Sequence, residues 1–197
     1  MSAPHDLDHQ ALTAALHQLN EQLYLQDAPA VELVVCGGSA LIATGLVLRT
    51  TRDVDILAFM DSRVLKDSEP LPDYLVLAAR NVARNMGLAA DWLNNGPASQ
   101  FRLGLPEGIQ ERLHRVVYGE RLVVHFISRY DQIFFKTYAA VDRAGYHVSD
   151  LLALKPTAAE LLAAAQWCLT QDVSEEFHAM IKIMFTQLGW PDVSQRL

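Results

Sequence analysis

The sequence predicts an α+β fold, in which a mixed β-sheet flanked by helices is followed by a C-terminal helical bundle. Up to Ser128, apolar runs of strand length alternate with segments whose apolar residues recur every three or four positions. After Ser128 only the helical spacing remains. We therefore predict two domains: residues 1–128, an α/β domain with an N-terminal helix, and residues 129–197, a helical region packed on it.

The front part is predicted to begin with an amphipathic helix over His9–Gln26, because its leucines recur at spacings of three and four. Prolines before Asp73 and a glycine after Met86 favour a second helix over residues 70–86. Gly119-Glu120 is typical of a hairpin turn. The predicted strands are residues 31–36, 53–59, 116–118 and 122–127, and residues 88–93 are either a short strand or an extended loop.

The back part is predicted to contain four helices. Thr157 and Glu160 have the spacing of a capping box, and Ser174 is expected to cap the helix that follows it. The predicted helices are residues 130–143, 150–154, 157–169 and 174–188.

Composition and charge exclude several classes of protein. The net charge of −7 argues against an extensive nucleic-acid-binding surface, although a local basic pocket remains open. No apolar run reaches the roughly 18 residues of a membrane span, and the polar N-terminal sequence is unlike a standard secretory signal. Cys36 and Cys168 lie far apart in apolar contexts, which predicts the reduced core thiols of a cytoplasmic protein.

Gly37, Gly38 and Ser39 stand between a predicted strand and a predicted helix. Two glycines let the backbone approach a phosphate closely, and the serine hydroxyl can bond to that phosphate. The alternative is a tight strand-to-helix turn. In either case Ser39 is expected to be the N-cap of a helix over residues 40–46.

Asp53 and Asp55 occupy alternate positions of the next predicted strand, so both carboxylates point to one face, roughly 6.6 Å apart along the chain. Such a pair can hold Mg²⁺ or Mn²⁺, which favour carboxylate oxygens, and two ions can share a site of this kind. The alternatives are that Asp53 caps a turn and that Asp55 pairs with a cationic side chain. An unpaired acid between Val54 and Ile56 would be costly, so Asp55 requires a metal or a cation.

Basic and hydroxyl side chains come just before these acids. Arg49 or Arg52 can clamp a triphosphate through two hydrogen bonds, or can pair with the acids instead. Thr51 is expected to orient the loop through a bond from its side chain to the backbone.

Lys136 and Asp150 are the candidate residues of the helical part. Lys136 follows an apolar run, so it either reaches a phosphate or lies at the helix edge with its ammonium group in solvent. Asp150 precedes a leucine-rich run, a position typical of an N-cap.

The Gly-Gly-Ser turn followed by the Asp-Val-Asp strand resembles the signature of the nucleotidyltransferase superfamily that includes DNA polymerase β. That signature is a strand, a Gly-Gly or Gly-Ser turn, a helix, and a strand with Asp-hydrophobic-Asp. The resemblance implies a nucleotidyltransferase-like sheet, with Asp53 and Asp55 as metal ligands and the turn around Gly37 and Gly38 as the cradle of the NTP phosphates.

A narrower resemblance is to the AbiEii-type nucleotidyltransferases, which include toxins of bacterial toxin–antitoxin systems. It implies that Arg49 and Lys136 contact phosphate and that Asp150 is a second functional acid. It covers most of residues 31–165 and rests on the run GGSAL, Gly45, RTTRDVD (49–55), DWLN (91–94), FKTYAA with Asp142-Arg143, and HVSDL (147–151).

Enzymes of the polymerase β superfamily usually carry a third acid on a later strand, and here the sequence departs from the pattern. The predicted strand over residues 122–127 has no acid, and His125 stands where one is expected. His125 is a substitute ligand, a general base or a core histidine. Asp91 is the preferred candidate for the third metal ligand, and Asp150 is the other.

The predicted function is therefore Mg²⁺- or Mn²⁺-dependent transfer of an NMP from an NTP to a hydroxyl of RNA, a protein or a small molecule. An antitoxin is a further partner if the chain is a toxin. The alternative is a nucleotide- or partner-binding module that keeps the fold and has lost catalysis. The candidate catalytic residues are Asp53, Asp55, Lys136 and Asp150, and the candidate nucleotide-binding residues are Gly37, Gly38, Ser39, Arg49 and Thr51.

Overall fold

The structure is a computed structural model that describes residues 4–197; residues 1–3, where the polar N-terminal sequence and the first predicted domain begin, lie outside the described residues. The chain divides into two compact units. One contains the chain up to Arg102 together with Gly108–Ile127, and the other contains Leu103–Glu107 and Ser128–Leu197. The first unit is mixed α/β and the second is helical, so the predicted α+β fold is confirmed.

The first unit begins with α1 (His9–Leu25), the predicted amphipathic helix, whose N-cap Asp8 accepts a hydrogen bond from Ala11 N at 2.8 Å. Strand β1 (Val31–Cys36) leads directly into helix α2 (Gly37–Ala43). The elements that follow, up to Ile127, are β2 (Val54–Asp61), β3 (Val64–Asp67), α3 (Asp73–Met86), β4 (Leu93–Asn94), α4 (Ala98–Leu103), β5 (His114–Val117) and β6 (Leu122–Phe126).

The strands of the described residues form one mixed sheet in the order β3-β2-β1-β6-β5. Strand β1 runs antiparallel to β2 and parallel to β6, while β5 and β6 form the predicted hairpin. Strand β4 lies off this path and pairs in parallel with the beginning of β2. Because β3 pairs with the end of β2, the edge of β2 that faces away from β1 is covered by β4 and then by β3.

One face of the sheet is buried in a hydrophobic core shared with α1 and α3. Val54 and Ile56 of β2 and Leu93 of β4 belong to this core, together with the buried leucines of α1 and the buried alanines of α3. Because strand residues alternate between faces, Asp55 and Asn94 project from the opposite face. The alternation predicted for β2 therefore places Asp55 away from the apolar core.

Helix α2 differs from the prediction at its start. It begins at Gly37 rather than Ala40, its N-cap residue is Cys36, and Ser39 lies inside its first turn, so the prediction of a Ser39 N-cap is wrong. The prediction missed β3 and α4. Strand β3 is a short edge strand of exposed and half-buried residues, which leaves no apolar face for a sequence pattern to reveal.

The second unit consists of helices, as predicted, but it contains five of them where four were predicted. Thr157 and Glu160 form the expected capping box, and Ser174 Oγ accepts a hydrogen bond from Phe177 N at 3.2 Å. The helices are α5 (Arg129–Arg143), α6 (Tyr146–Ala153), α7 (Ala158–Gln171), α8 (Glu175–Gln187) and α9 (Pro191–Gln195).

Two further predictions concern the two cysteines and membrane-spanning helices. Cys36 and Cys168 are buried thiols that are not joined in a disulfide, as predicted. Burial raises the pKa of the Cys168 thiol, which therefore stays protonated at neutral pH. None of the helices within residues 4–197 has both the length and the apolar character needed to cross a membrane.

Candidate functional site

The glycine turn and the second acid lie against each other. Cys36, the last residue of β1, is in register with Asp55 of the antiparallel strand β2. Gly37 follows with a φ of +73°, and a Cβ on this residue would collide with Asp55 Oδ2. Only glycine combines that backbone angle with such a close approach, so the sequence Cys36-Gly37 brings the turn backbone onto the Asp55 carboxylate.

Gly38 makes the same kind of contact with the loop before the acids. A Cβ on Gly38 would lie 2.8 Å from Thr51 Oγ1 and 3.0 Å from Arg49 Nη2. The two glycines thus let a carboxylate, a hydroxyl and a guanidinium group converge on one turn. Arg49 Nη1 donates to the carbonyl of Thr50 at 2.7 Å, which holds the guanidinium group beside Gly38.

The loop that carries Arg49 and Thr51 is attached to the N-terminal segment. Leu7 is fully buried and forms two backbone hydrogen bonds with Thr51, of 2.7 and 2.9 Å. Arg52 is 86% exposed and lies 3.7 Å from Asp6. Of the two candidate arginines, Arg49 therefore lies at the glycine turn and Arg52 points to the N-terminal segment.

Asp53 precedes β2 and is half-buried. The Thr51 hydroxyl lies 3.3 Å from Asp53 Oδ1 and 3.5 Å from the Asp53 carbonyl oxygen. Thr51 therefore orients the loop, as predicted, through contacts with both the side chain and the backbone of Asp53. The two acids lie on either side of Val54, one held by the loop and the other by the turn.

Ser39 is fully buried, and its hydroxyl donates to the carbonyl of Cys36 at 3.3 Å. The hydroxyl that was predicted to bond a phosphate is thus used inside the first turn of α2. Ser39 is therefore buried in the first turn of α2, with its hydroxyl bonded to the backbone.

Strand β4 lies beside the start of β2, on the side away from β1, and it carries the amide side chain of Asn94. Val54 is in register with Leu93, and Asp55 is in register with Asn94. The superfamily pattern predicts a third acid on the later strand β6, but β6 pairs with β1 and β5. Asn94 is not among the predicted site residues, because β4 is too short to produce a periodic pattern.

Asp91, the preferred third ligand, is exposed in the turn before β4. Within residues 4–197, no group of three or more His, Cys, Asp or Glu side chains is arranged to hold a metal ion. The described structure therefore does not join Asp91 to Asp53 and Asp55 in such a group.

His125 belongs to a separate pair. It is 7% exposed, and its Nε2 atom lies 2.6 Å from Glu32 Oε2 on the neighbouring strand β1. Of the three interpretations of His125, the structure favours the core histidine, since its ring is engaged by a carboxylate.

In the second unit, Lys136 of α5 donates a hydrogen bond of 2.7 Å to Asp150 Oδ2 of α6. The side chains are 5% and 3% exposed, respectively. Asp150 lies within α6, whose N-cap residue is Gly145, so the N-cap interpretation of Asp150 is wrong. The interpretation that places the Lys136 ammonium group in solvent is wrong as well. This group is buried beside a carboxylate and lies 5.8 Å from the centroid of the Tyr146 ring.

The residues around the glycine turn fit a metal–triphosphate complex in their chemistry. Asp53 and Asp55 offer the carboxylate oxygens that Mg²⁺ favours. Arg49 offers a cationic group of the kind that binds phosphate. Gly37 and Gly38 keep the turn free of side chains that would separate these groups.

The chain matches a family of known proteins. Neither a search of curated proteins nor a search of solved structures found a match to the chain. Nothing in the comparisons is specific to AbiEii-type proteins, so that narrower resemblance stays a prediction. The sequence model of one family, described as a nucleotidyltransferase of unknown function (DUF6036), matches residues 10–175. Since this match includes the glycine turn, both acids and the Lys136–Asp150 pair, the chain belongs to that family of nucleotidyltransferases.

Proposed function

We propose that the chain transfers an NMP from an NTP to a hydroxyl acceptor in a Mg²⁺-dependent reaction. The observation that carries the proposal is the convergence of Asp55, Thr51 and Arg49 on the Gly37-Gly38 turn. Membership of a nucleotidyltransferase family supports the same reaction class. Because the fold alone does not establish chemistry, the proposal depends on these particular side chains.

Each group has a role that its position supports. Mg²⁺ or Mn²⁺ held by Asp53 and Asp55 would supply the charge that neutralises the triphosphate. Arg49 would bind a phosphate oxygen next to the turn. Gly37 and Gly38 would let that phosphate approach the backbone, and Thr51 would keep Asp53 oriented. Catalysis of this kind is mainly positioning and electrostatic stabilisation.

Lys136 and Asp150 are proposed to contribute a cation and an acid to the reaction. This role rests on the AbiEii resemblance, and the hydrogen bond between the two buried side chains keeps the cation and the acid next to each other. The acceptor classes remain RNA, a protein or a small molecule. A toxin role with an antitoxin partner rests on the AbiEii resemblance alone.

The test is calorimetric titration of each NTP into the protein, with and without Mg²⁺. We expect one NTP to bind only when Mg²⁺ is present. Asp55→Asn should weaken this binding at least about tenfold, because a single metal–carboxylate contact contributes more than the roughly 1.4 kcal/mol that a tenfold change requires. Transfer of the labelled α-phosphate from that NTP to an acceptor should be lost in the same variant.

Asp61→Asn is the matched control. Asp61 lies at the far end of the same strand, is exposed, and forms an ion pair with Lys66. This variant should bind the NTP as the wild type does. If no NTP binds to the wild type with Mg²⁺, or if Asp55→Asn binds as tightly as the wild type, the proposal is wrong and the binding-module alternative gains support.

A further inference from the structure

We propose that Asn94 limits the site to one divalent cation by placing a neutral amide where a third carboxylate would complete a site for two. This inference deepens the proposed function and rests on it. It makes Asn94 a specificity-determining residue of this chain, and it concerns how many ions the two acids hold rather than whether they hold one.

The position of Asn94 follows from the register of the sheet. Asn94 pairs with Asp55 across the parallel strands β4 and β2, and adjacent strands lie about 4.8 Å apart. Val54 and Leu93, the preceding register pair, both point into the hydrophobic core. Asn94 and Asp55 therefore project from the same, opposite face as neighbours.

The short strand β4 is fixed by bonds on both sides. Before it, the Trp92 carbonyl accepts from Val54 N at 2.5 Å, and the Trp92 indole donates to the Ala79 carbonyl at 2.9 Å. After it, Asn95 Nδ2 donates to the Ser68 carbonyl at 3.0 Å. Strand β4 thus cannot slide along β2 without breaking these hydrogen bonds, and Asn94 is held beside Asp55.

The orientation of the Asn94 amide is set by a single bond. Its Oδ1 atom accepts a hydrogen bond from Gly96 N at 2.8 Å. Since only the oxygen can accept that bond, the Nδ2 group occupies the other branch of the amide. An aspartate at this position would keep the same acceptor for Gly96 N, so the substitution Asn94→Asp adds charge with little change in shape.

The number of charges sets the number of ions. Asp53 and Asp55 together offer two carboxylates, which match one divalent cation whose remaining positions would be filled by substrate phosphates and water. Two-metal sites place the ions about 3.5–4 Å apart and need further anionic ligands. No third acid joins the pair within the described residues, and the residue in register with Asp55 is uncharged.

The experiment counts bound Mn²⁺ on the full chain by electron paramagnetic resonance of the free ion, with Mn²⁺ alone as the probe. We expect one bound Mn²⁺ per wild-type chain. Asn94→Asp should bind a second ion and should bind the first at least about tenfold more tightly, because a carboxylate replaces an amide beside Asp55. Mn²⁺ should also raise the midpoint temperature of thermal unfolding more in Asn94→Asp than in the wild type.

Two variants control for charge and for loss of the amide. Asn85→Asp makes the same chemical change at an exposed position of α3 and should leave one Mn²⁺ site. Asn94→Ala removes the amide without adding charge and should also keep one site. Two ions on the wild type, or no gain in Asn94→Asp, would overturn this inference and leave the proposed function intact. No Mn²⁺ on the wild type would overturn both.

Discussion

Lys136 and Asp150 form a buried ion pair between two consecutive helices, with 2.7 Å between Nζ and Oδ2. Both side chains are almost fully removed from solvent, and Lys136 lies in the stretch of α5 where every residue from Asp131 to Thr137 is buried. A buried charge without a partner is strongly unfavourable, so each of these residues makes the other tolerable. The pair therefore has a structural role whether or not it takes part in catalysis.

Removing one partner should destabilise the protein strongly. Lys136→Met and Asp150→Leu should each lower the free energy of unfolding by about 3–5 kcal/mol, because the remaining charge stays buried. The double variant should recover most of this loss, since two apolar side chains replace the pair. Urea denaturation of the four proteins measures the difference, and a double variant as unstable as the singles would contradict the prediction.

The same double variant separates structure from function. If the pair also acts in the proposed reaction, the stabilised double variant will fold and yet fail to transfer the labelled phosphate. A double variant that is both stable and fully active would show that Lys136 and Asp150 serve the fold alone.

Gly37 and Gly45 provide a matched pair for testing the contact with Asp55. Their φ angles are +73° and +70°, so an alanine at either position suffers the same backbone strain. A Cβ at Gly37 would collide with Asp55 Oδ2, whereas a Cβ at Gly45 would meet no atom within 4 Å. The difference between the two variants therefore reports the contact and not the strain.

We expect Gly45→Ala to cost about 1 kcal/mol of stability and to keep metal-dependent NTP binding. Gly37→Ala should cost about 1–3 kcal/mol more, because the carboxylate must move, and should weaken NTP binding together with it. Thermal denaturation and calorimetry on both variants measure these effects. Equal losses of stability and of NTP binding in the two variants would mean that Asp55 can move away from residue 37 without affecting either.

The elements with a strong local pattern were predictable from the sequence. The leucine spacing of α1 places one helical face in the core, and the Gly-Gly turn followed by alternating acids identifies β1, α2 and β2. The capping box at Thr157 was also visible, because both of its partners lie within one turn of helix. In each case the interaction that decides the structure spans only a few residues.

Which candidate residues lie next to each other in space could not be predicted from the sequence in the same way. Asn94 comes beside Asp55 through a strand of two residues, and the order of strands along the chain does not state which of them are adjacent. Lys136 meets Asp150 across a reversal at Ala144 and Gly145, whose φ angles of +52° and +61° no periodic pattern specifies. Both relationships depend on tertiary packing rather than on local preference.

Arg129 connects the start of α5 to the loop before α7. Its guanidinium group donates to the carbonyls of Leu154 and Lys155, each at 2.8 Å, and to both carboxylate oxygens of Glu160, at 2.7 and 3.3 Å. The hydrogen bonds that Arg129 donates to the Glu160 carboxylate are the main reason that the pKa of Glu160 lies below its ordinary value of 4.5.

Stability should therefore depend on pH through Glu160. Because its pKa is lowered in the folded state, the ionised carboxylate contributes stability that is complete above about pH 4.5 and is lost as the pH falls through the folded value. Glu160→Gln can still complete the capping box, so it mainly removes the ion pair. We expect a loss of about 1 kcal/mol at pH 7, modest because Arg129 is 37% exposed to solvent, and a smaller loss below pH 4. Urea denaturation at pH 7 and below pH 4 measures this loss of stability. Glu176→Gln, in the first turn of α8, is the control for removing a charge at the start of a helix. A loss of equal size at both pH values would show that the Arg129 contact does not govern the ionisation of Glu160.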